Sequence, residues 1–413
     1  MCFPCRRRRE HTRSWRAVRR PGGFSSSPTV PDELWKGWKM GPRRAGSLAF
    51  RVLVSSVAVA LAAAGCGDDA GNSKESGENL RTVKVALAIK AMNSSFAAIP
   101  VARYLGYFKE EGLKVETTFT PGSTQAIQAV AAGQMEMAAP VPQSLIPDAV
   151  KNKSDQRMFF NWARSQVASF AVESGSPIQN WADFKGKKIG AQSLGSGTIP
   201  LAKALLREQG LNPDTDVQFV SVGLEAGAYH ALKSKRVDAL MLFDSQYAAM
   251  ENLGAKLRYF KSALGQELFS TGFSAKQSYM KANPKVIEGF GRAMAKANVF
   301  ATANPEAAIK MMYEVYPKTN IPGVPEDKKM EDNKRILALR TTHITSGDPA
   351  ANKNWGEFPE SGVKAWSDFS VSTKLTPIAF KAEDFVTNEF VKAFNNFDSL
   401  QIQNAAKSYK FEG

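Results

Sequence analysis

Between residues 83 and 260 the chain alternates short β-rich runs with helical stretches, and this rhythm narrows the fold more than any other feature. Strands are expected at 83–89, 113–120, 135–141 and 157–163, with helices between them at 95–111, 123–132 and 143–151. Gly133 is the expected C-terminal stop of the second helix. A second cycle begins near Ile178, with strands at 187–192, 217–222, 239–243 and 257–260 and helices at 198–209, 224–233 and 246–253. Such alternation argues for two α/β units, each around a largely parallel sheet. After Lys276 the pattern turns helical. Asn283-Pro284 and Asn304-Pro305 read as helix starts, with asparagine capping and proline in the first turn. Val286, Phe290, Met294 and Ala297 recur on one face between them. Further helices are expected at 306–316, 328–342, 359–371 and 384–397.

Two extended stretches, 166–173 and 269–275, join the units. The chain leaves the first unit, builds the second and returns, so two parallel crossings make a hinge between two lobes.

The first 80 residues have another character. Of the chain's three cysteines, Cys2, Cys5 and Cys66, none lies in the body, which excludes disulfides and cysteine metal sites there. Only His230 and His343 follow residue 66, so a histidine metal centre is not expected and no metal is assigned. The net charge of +15 is mostly a leader property: 13 basic and 3 acidic residues precede Cys66. With no basic, aromatic-studded patch in the body, nucleic acid is not an expected partner. Residues 1–39 are expected to be disordered, or an upstream-start artefact ahead of Met40. From Met40, Arg43 and Arg44 precede an apolar run over 52–64 of signal-peptide length. The small residues Ala63, Ala64 and Gly65 before Cys66 resemble a bacterial lipobox, although Ala63 stands where leucine or valine is usual. The resemblance implies a signal over 40–65 and a diacylated Cys66 as the mature N-terminus. An ordinary cleaved signal with an incidental cysteine is the alternative. Polar residues at 66–81 read as a flexible tether.

Catalytic signatures are absent from the sequence. "GSGT" at 195–198 lacks the Gly-Lys-Ser/Thr ending of a phosphate loop, and no Gly-x-Ser-x-Gly elbow occurs. No cofactor is expected.

Four stretches carry a family likeness: "IPVARYLGYFKEEGLKVE" (99–116), "GSTQAIQAVAAGQMEMA" (122–138), "WADFKGKKIGAQSLGSGT" (181–198) and "RVDALMLFD" (236–244). They resemble the periplasmic substrate-binding proteins of ATP-driven importers, in the branch handling nitrate, taurine, alkanesulfonates and thiamine-precursor pyrimidines. The resemblance covers roughly residues 82–315. It implies a two-lobed α/β periplasmic-binding-protein fold of type II, with two hinge crossings and a helical C-terminal portion. On that fold, lobe 1 takes 82–168 and 270–413, and lobe 2 takes 169–269. The related fungal pyrimidine synthases use histidine and a cysteine-rich segment, which this body lacks.

Ligands of open α/β sheets sit beyond the carboxyl ends of the strands. Four loops occupy that position: 90–95, 121–124, 192–198 and 244–246. The first three run into helix starts with serine or threonine. Unpaired N–H groups and the positive helix end there suit an anion, although such residues also cap helices without any ligand. The candidate contacts are Lys90, Met92, Asn93, Ser94, Ser123, Thr124, Pro140, Ser193, Ser196 and Thr198. Asp244 would accept an amine or amide donor from the ligand or pair with a cleft lysine. Trp162, Tyr229 and Phe273, with Met92, are candidate apolar walls or core residues. The sequence thus leads to a monomeric, exported, non-enzymatic solute-binding protein. Lipid on Cys66 would hold it at the membrane, where it would deliver a small organic anion to a permease and ATPase. A sensory or interaction protein on the same fold is the second reading.

Overall fold

The computed structural model describes residues 79–262, 265, 267–345 and 348–411. The expected leader, signal, Cys66 and most of the tether lie outside these residues.

Strand β1 (Arg81–Leu87) turns Val83, Val85 and Leu87 to the main core and Ala86 to the other face, the period of two that a doubly covered strand needs. Helices α1 (Ala98–Tyr104) and α2 (Tyr107–Glu110), strand β2 (Leu113–Phe119), helix α3 (Ser123–Ala131), strand β3 (Met137–Ala139), helix α4 (Pro142–Lys151) and strand β4 (Gln156–Asn161) follow. The single helix expected over 95–111 is broken. Asn93 caps a 3-10 turn over Ser94–Phe96, and Gly106 at φ +78° separates α1 from α2 in a left-handed conformation that favours glycine.

The second cycle comprises β5 (Ala168–Glu173), β6 (Lys187–Ala191), α5 (Thr198–Glu208), β7 (Val217–Ser221), α6 (Glu225–Lys233), β8 (Ala239–Phe243), α7 (Asp244–Asn252) and β9 (Leu257–Phe260). Strand β10 (Gly272–Lys276) then precedes α8 (Gln277–Ala282), α9 (Pro284–Ala303), α10 (Pro305–Val315), α11 (Glu326–Ile344), α12 (Glu360–Ser372), α13 (Val391–Phe394) and α14 (Ser399–Ser408).

The strands form two sheets, ordered β2-β1-β3-β10-β4 and β7-β6-β8-β5-β9. In the first, β1 runs parallel to β2 and β3, whereas β10 is antiparallel to β3 and β4. In the second, β6 runs parallel to β7 and β8, whereas β5 is antiparallel to β8 and β9. The sheets are therefore mixed rather than largely parallel. The stretches expected as connectors supply the difference, because most of each becomes a strand, β5 in one sheet and β10 in the other. The crossings shrink to short segments that pair with each other: Ala163 N donates to Thr271 O at 2.8 Å, and Ser270 N to Ala163 O at 2.8 Å.

Helix α9 is the spine of the first lobe, with Val286, Phe290, Met294 and Ala297 buried as the periodicity predicts. Phe290 stacks on Phe108 at 5.5 Å and meets Phe273 edge-on at 4.9 Å. Asn304 caps α10 through its side chain, but Asn283 does not cap α9; its amide donates back to Tyr279 O instead. The C-terminal helices, expected on the first lobe, divide between two cores. Helix α14 returns to α9, where Asn304 Nδ2 donates to Ala406 O. Helix α12 shares a core with α5 and β6: Trp366 Nε1 donates to Phe269 O at 3.0 Å and Arg207 reaches Thr373 O. The helix expected over 384–397 is interrupted because Phe385 and Thr387 hydrogen-bond Met158 on β4 and hold the chain extended.

Candidate ligand site

The carboxyl ends of β1 and β3 on one sheet, and of β6 and β8 on the other, meet where the lobes touch. Three helix starts converge there. Ser123 opens α3 with its Oγ accepting from Val141 N at 3.3 Å, and it is buried. Ser196 and Thr198 at the start of α5 are buried and share a hydroxyl–hydroxyl bond of 3.0 Å. Asp244 opens α7. Gln246 locks that start by accepting from Phe243 N and donating to Gln192 Oε1 at 2.8 Å.

The lobes are closed on one another. Gln143 Nε2 donates to Gly197 O at 2.9 Å, Ser193 Oγ to Pro121 O at 3.1 Å and Gln192 Nε2 to Pro121 O at 3.3 Å. A Cβ on Gly122 would lie 2.4 Å from Gly195 O, and one on Gly197 would lie 3.0 Å from Ser123 Oγ. At Gly122 the neighbour is backbone, which only glycine lets come this close; at Gly197 the neighbours are side chains, Val141 Cγ2 and Ser144 Oγ as well as Ser123 Oγ. The α3 and α5 starts, from two of the four loops named from sequence, thus face each other across the closed cleft. A cavity of about 20 Å³ remains beside them, bordered by Phe96, Ser123, Phe243, Ser245, Thr271 and Arg340.

Arg340 is absent from the candidates named from sequence. It comes from α11, 2% exposed, and pairs with Asp244: Nε donates to Oδ2 at 2.9 Å and Nη2 to Oδ1. Asp244 therefore pairs with an arginine, not with a cleft lysine. The guanidinium carbon lies 5.7 Å from the Phe96 ring centre and 6.0 Å from that of Trp162. Nη1 has no hydrogen-bond partner among the described residues, and neither has the buried hydroxyl of Ser94, in the turn that carries Phe96. One signal was available. The buried residues of α11 are Ile336, Leu337, Arg340 and Ile344, so Arg340 stands where helical spacing calls for an apolar residue.

The other candidates separate. Lys90 and Thr124 are exposed, and Ser193 is half-buried at the lobe contact. Asn93 is spent on its cap, accepting from Ser95 N and Oγ. Met92, Trp162 and Phe273 belong to the first lobe's core; Trp162 Nε1 donates to Asn298 Oδ1 at 3.0 Å. Pro140 is buried and its carbonyl accepts from Gly272 N at the crossing. Tyr229 lies on α6, under Lys233, in the cluster on the other face of the second sheet. A larger cavity of about 460 Å³ is bordered by Gln166, Asp244, Tyr247, Tyr259 and His343. It holds none of the loop hydroxyls at 123, 196 and 198. There Ser165 Oγ and His343 Nδ1 are 2.7 Å apart, and burial pushes the His343 imidazole below its ordinary pKa. Among the described residues no cluster of His, Cys, Asp or Glu could hold a metal ion, and no helix is long and apolar enough to cross a membrane.

The family model described as NMT1/THI5 like matches residues 93–308, just over half of the chain. The chain belongs to the NMT1/THI5-like family. Among its relatives, the formylaminopyrimidine-binding protein of Halalkalibacterium halodurans is 26% identical over 262 residues, 62% of this chain and 77% of that protein. Two solved structures show that the NMT1/THI5-like chain has the periplasmic-binding-protein fold. The alkanesulfonate-binding protein of Xanthomonas axonopodis pv. citri, bound to MOPS, matches at TM-score 0.55 and 17% identity, covering 74% of this chain and 98% of its own. The periplasmic nitrate-binding protein of Synechocystis matches at TM-score 0.57 and 13% identity, covering 80% and 99%. Arg340 lies beyond the family match, on a helix C-terminal to it.

Proposed function

We propose that this NMT1/THI5-like chain is an extracytoplasmic solute-binding protein of an ATP-driven importer. It captures a small anion, such as an organic sulfonate or carboxylate, or nitrate, between its lobes and hands it to a membrane permease and ATPase. It works as a monomer, by binding rather than by turnover, with lipid on Cys66 as its anchor at the periplasmic or outer face. The observation that carries this reading is the closed cleft itself, where helix starts from both sheets converge beside one small cavity. Closure gives the ligand contacts that neither lobe has alone, so binding shifts an open–closed equilibrium. Membership of the family and the name of the 26% identical relative support a binding role. Native mass spectrometry of gently purified protein tests it. The expected result is a one-to-one complex that releases an unaltered small molecule. A molecule that is chemically converted on incubation would overturn the binding-only reading in favour of an enzyme.

A further inference from the structure

From the buried Asp244–Arg340 pair and the unpartnered Nη1 of Arg340, we infer that Arg340 contacts the ligand directly and selects a monoanionic carboxylate or sulfonate. This deepens the solute-binding reading and rests on it. Arg340 is 2% exposed and borders the interlobe cavity, with Nε and Nη2 spent on Asp244 and Nη1 left over. A buried donor without a partner is costly, so a ligand that supplies an acceptor there gains the whole difference.

The charge balance fixes the class. The guanidinium and the Asp244 carboxylate cancel. The starts of α3 and α7, whose Ser123 and Ser245 border the cavity, each add roughly half a positive charge, which leaves an excess of about one. A monoanion neutralises it; a dianion would overshoot, and a cation would meet repulsion. Nη1 is one nitrogen, because the two-nitrogen fork faces Asp244. It therefore meets one acid oxygen, and the remaining oxygens turn to the α3 and α7 starts at Ser123 and Ser245. Phe96 and Phe243 also border the cavity, and the lobes must part from the closed form, where it measures about 20 Å³, to seat an apolar or aromatic body beside the acid group. Asp244 acts as a positioning residue: it turns the guanidinium and tempers its charge.

The test uses purified protein freed of any co-purified molecule by unfolding and refolding. Calorimetry is run with benzoate and ethanesulfonate, and with their uncharged counterparts benzamide and ethyl methyl sulfone. The acids are expected to bind the parent protein and the uncharged compounds are not. Arg340→Lys, which keeps the charge opposite Asp244 but loses Nη1, is expected to weaken acid binding ~10- to 150-fold, the worth of a hydrogen bond to a charged group. Asp244→Asn is expected to act in the opposite direction and tighten acid binding several-fold by releasing the full guanidinium charge. Opposite signs separate recognition from damage, since a merely structural pair would weaken binding in both variants, and that outcome overturns the proposal. Equal binding of acids and uncharged compounds, or binding indifferent to Arg340→Lys, also overturns it while leaving the solute-binding reading intact. No binding of any probe overturns the acid subsite; joined to the absence of any co-purified molecule, it overturns the solute-binding reading as well.

Discussion

Alanine at Gly122 isolates lobe closure from folding. Gly122 has φ 173°, extended backbone that any residue adopts, so the substitution adds no local strain. Its new Cβ would stand 2.4 Å from Gly195 O and 2.9 Å from Gly195 C, backbone atoms that cannot rotate aside. A carbon–oxygen contact relaxes near roughly 3.3 Å, so the lobes must part there by about 1 Å. That separation breaks the three bonds that clasp this rim, Gln143 to Gly197 and Gln192 and Ser193 to Pro121. At about 0.5–1.5 kcal/mol each, their loss costs closure about 1.5–4.5 kcal/mol. The ratio of closed to open molecules, and with it ligand affinity, should fall roughly 10- to 2000-fold. The assay is a pulsed electron-spin distance measurement with one label on each lobe, alongside the melting temperature and the fraction of protein that retains its ligand. The expected result is a longer interlobe distance and lost ligand at a nearly unchanged melting temperature. An unchanged distance distribution with full ligand retention would refute the argument, because the two backbones would then not need to meet.

Three other outcomes are expected. His343 is held neutral by burial, with its folded pKa below the ordinary 6.5, so its contribution to stability is present above about pH 6.5 and drains away as the pH falls towards the folded value; melting temperature against pH should show this decline in the parent protein and a smaller one in His343→Gln. Arg292 grips Glu111 through Nε and Nη2 at 2.7 Å each and donates Nη1 to Ala393 O, so Arg292→Met should cost about 3 kcal/mol by urea unfolding, and a loss below ~0.5 kcal/mol would show that the bonds are made equally well to water. Cys66→Ala should move the protein from the membrane to the soluble fraction or stall its processing, and unchanged membrane retention with an unchanged mature mass would rule out the lipid anchor.

The alternation of strands and helices was legible because the strands are short β-rich runs, alternating in burial as in β1 or continuously apolar as in β8, and the longer helices such as α9 carry a buried stripe. The loops at 122–124 and 195–198 were legible as helix starts for the same local reason. Their apposition needs only the strand order, and Gly122 and Gly197 turn out to be the points of contact. Mixed strand direction was not legible, because 166–173 and 269–275 look alike whether they cross between sheets or join them. Trp162 and Phe273 read as possible cleft walls because a sequence records apolarity without direction; α9 packs over them and makes them core. Arg340 was the main omission. It meets Asp244 from 96 residues away, and α11 is so rich in lysine and arginine that one more cation raises no alarm. Its phase among Ile336, Leu337 and Ile344 is the only local mark it bears.

The division of the C-terminal helices between two cores has a consequence for biogenesis. The second lobe keeps an uncovered apolar face around Phe269 until α12 and Phe385 have left the ribosome, and the first lacks Phe394 and Ala406 until α13 and α14 have followed. Neither half can finish its core early, as a chain of independent domains would. The nascent polypeptide therefore stays extensible until α12, α13 and α14 have all been made, and only then can the two cores shut together.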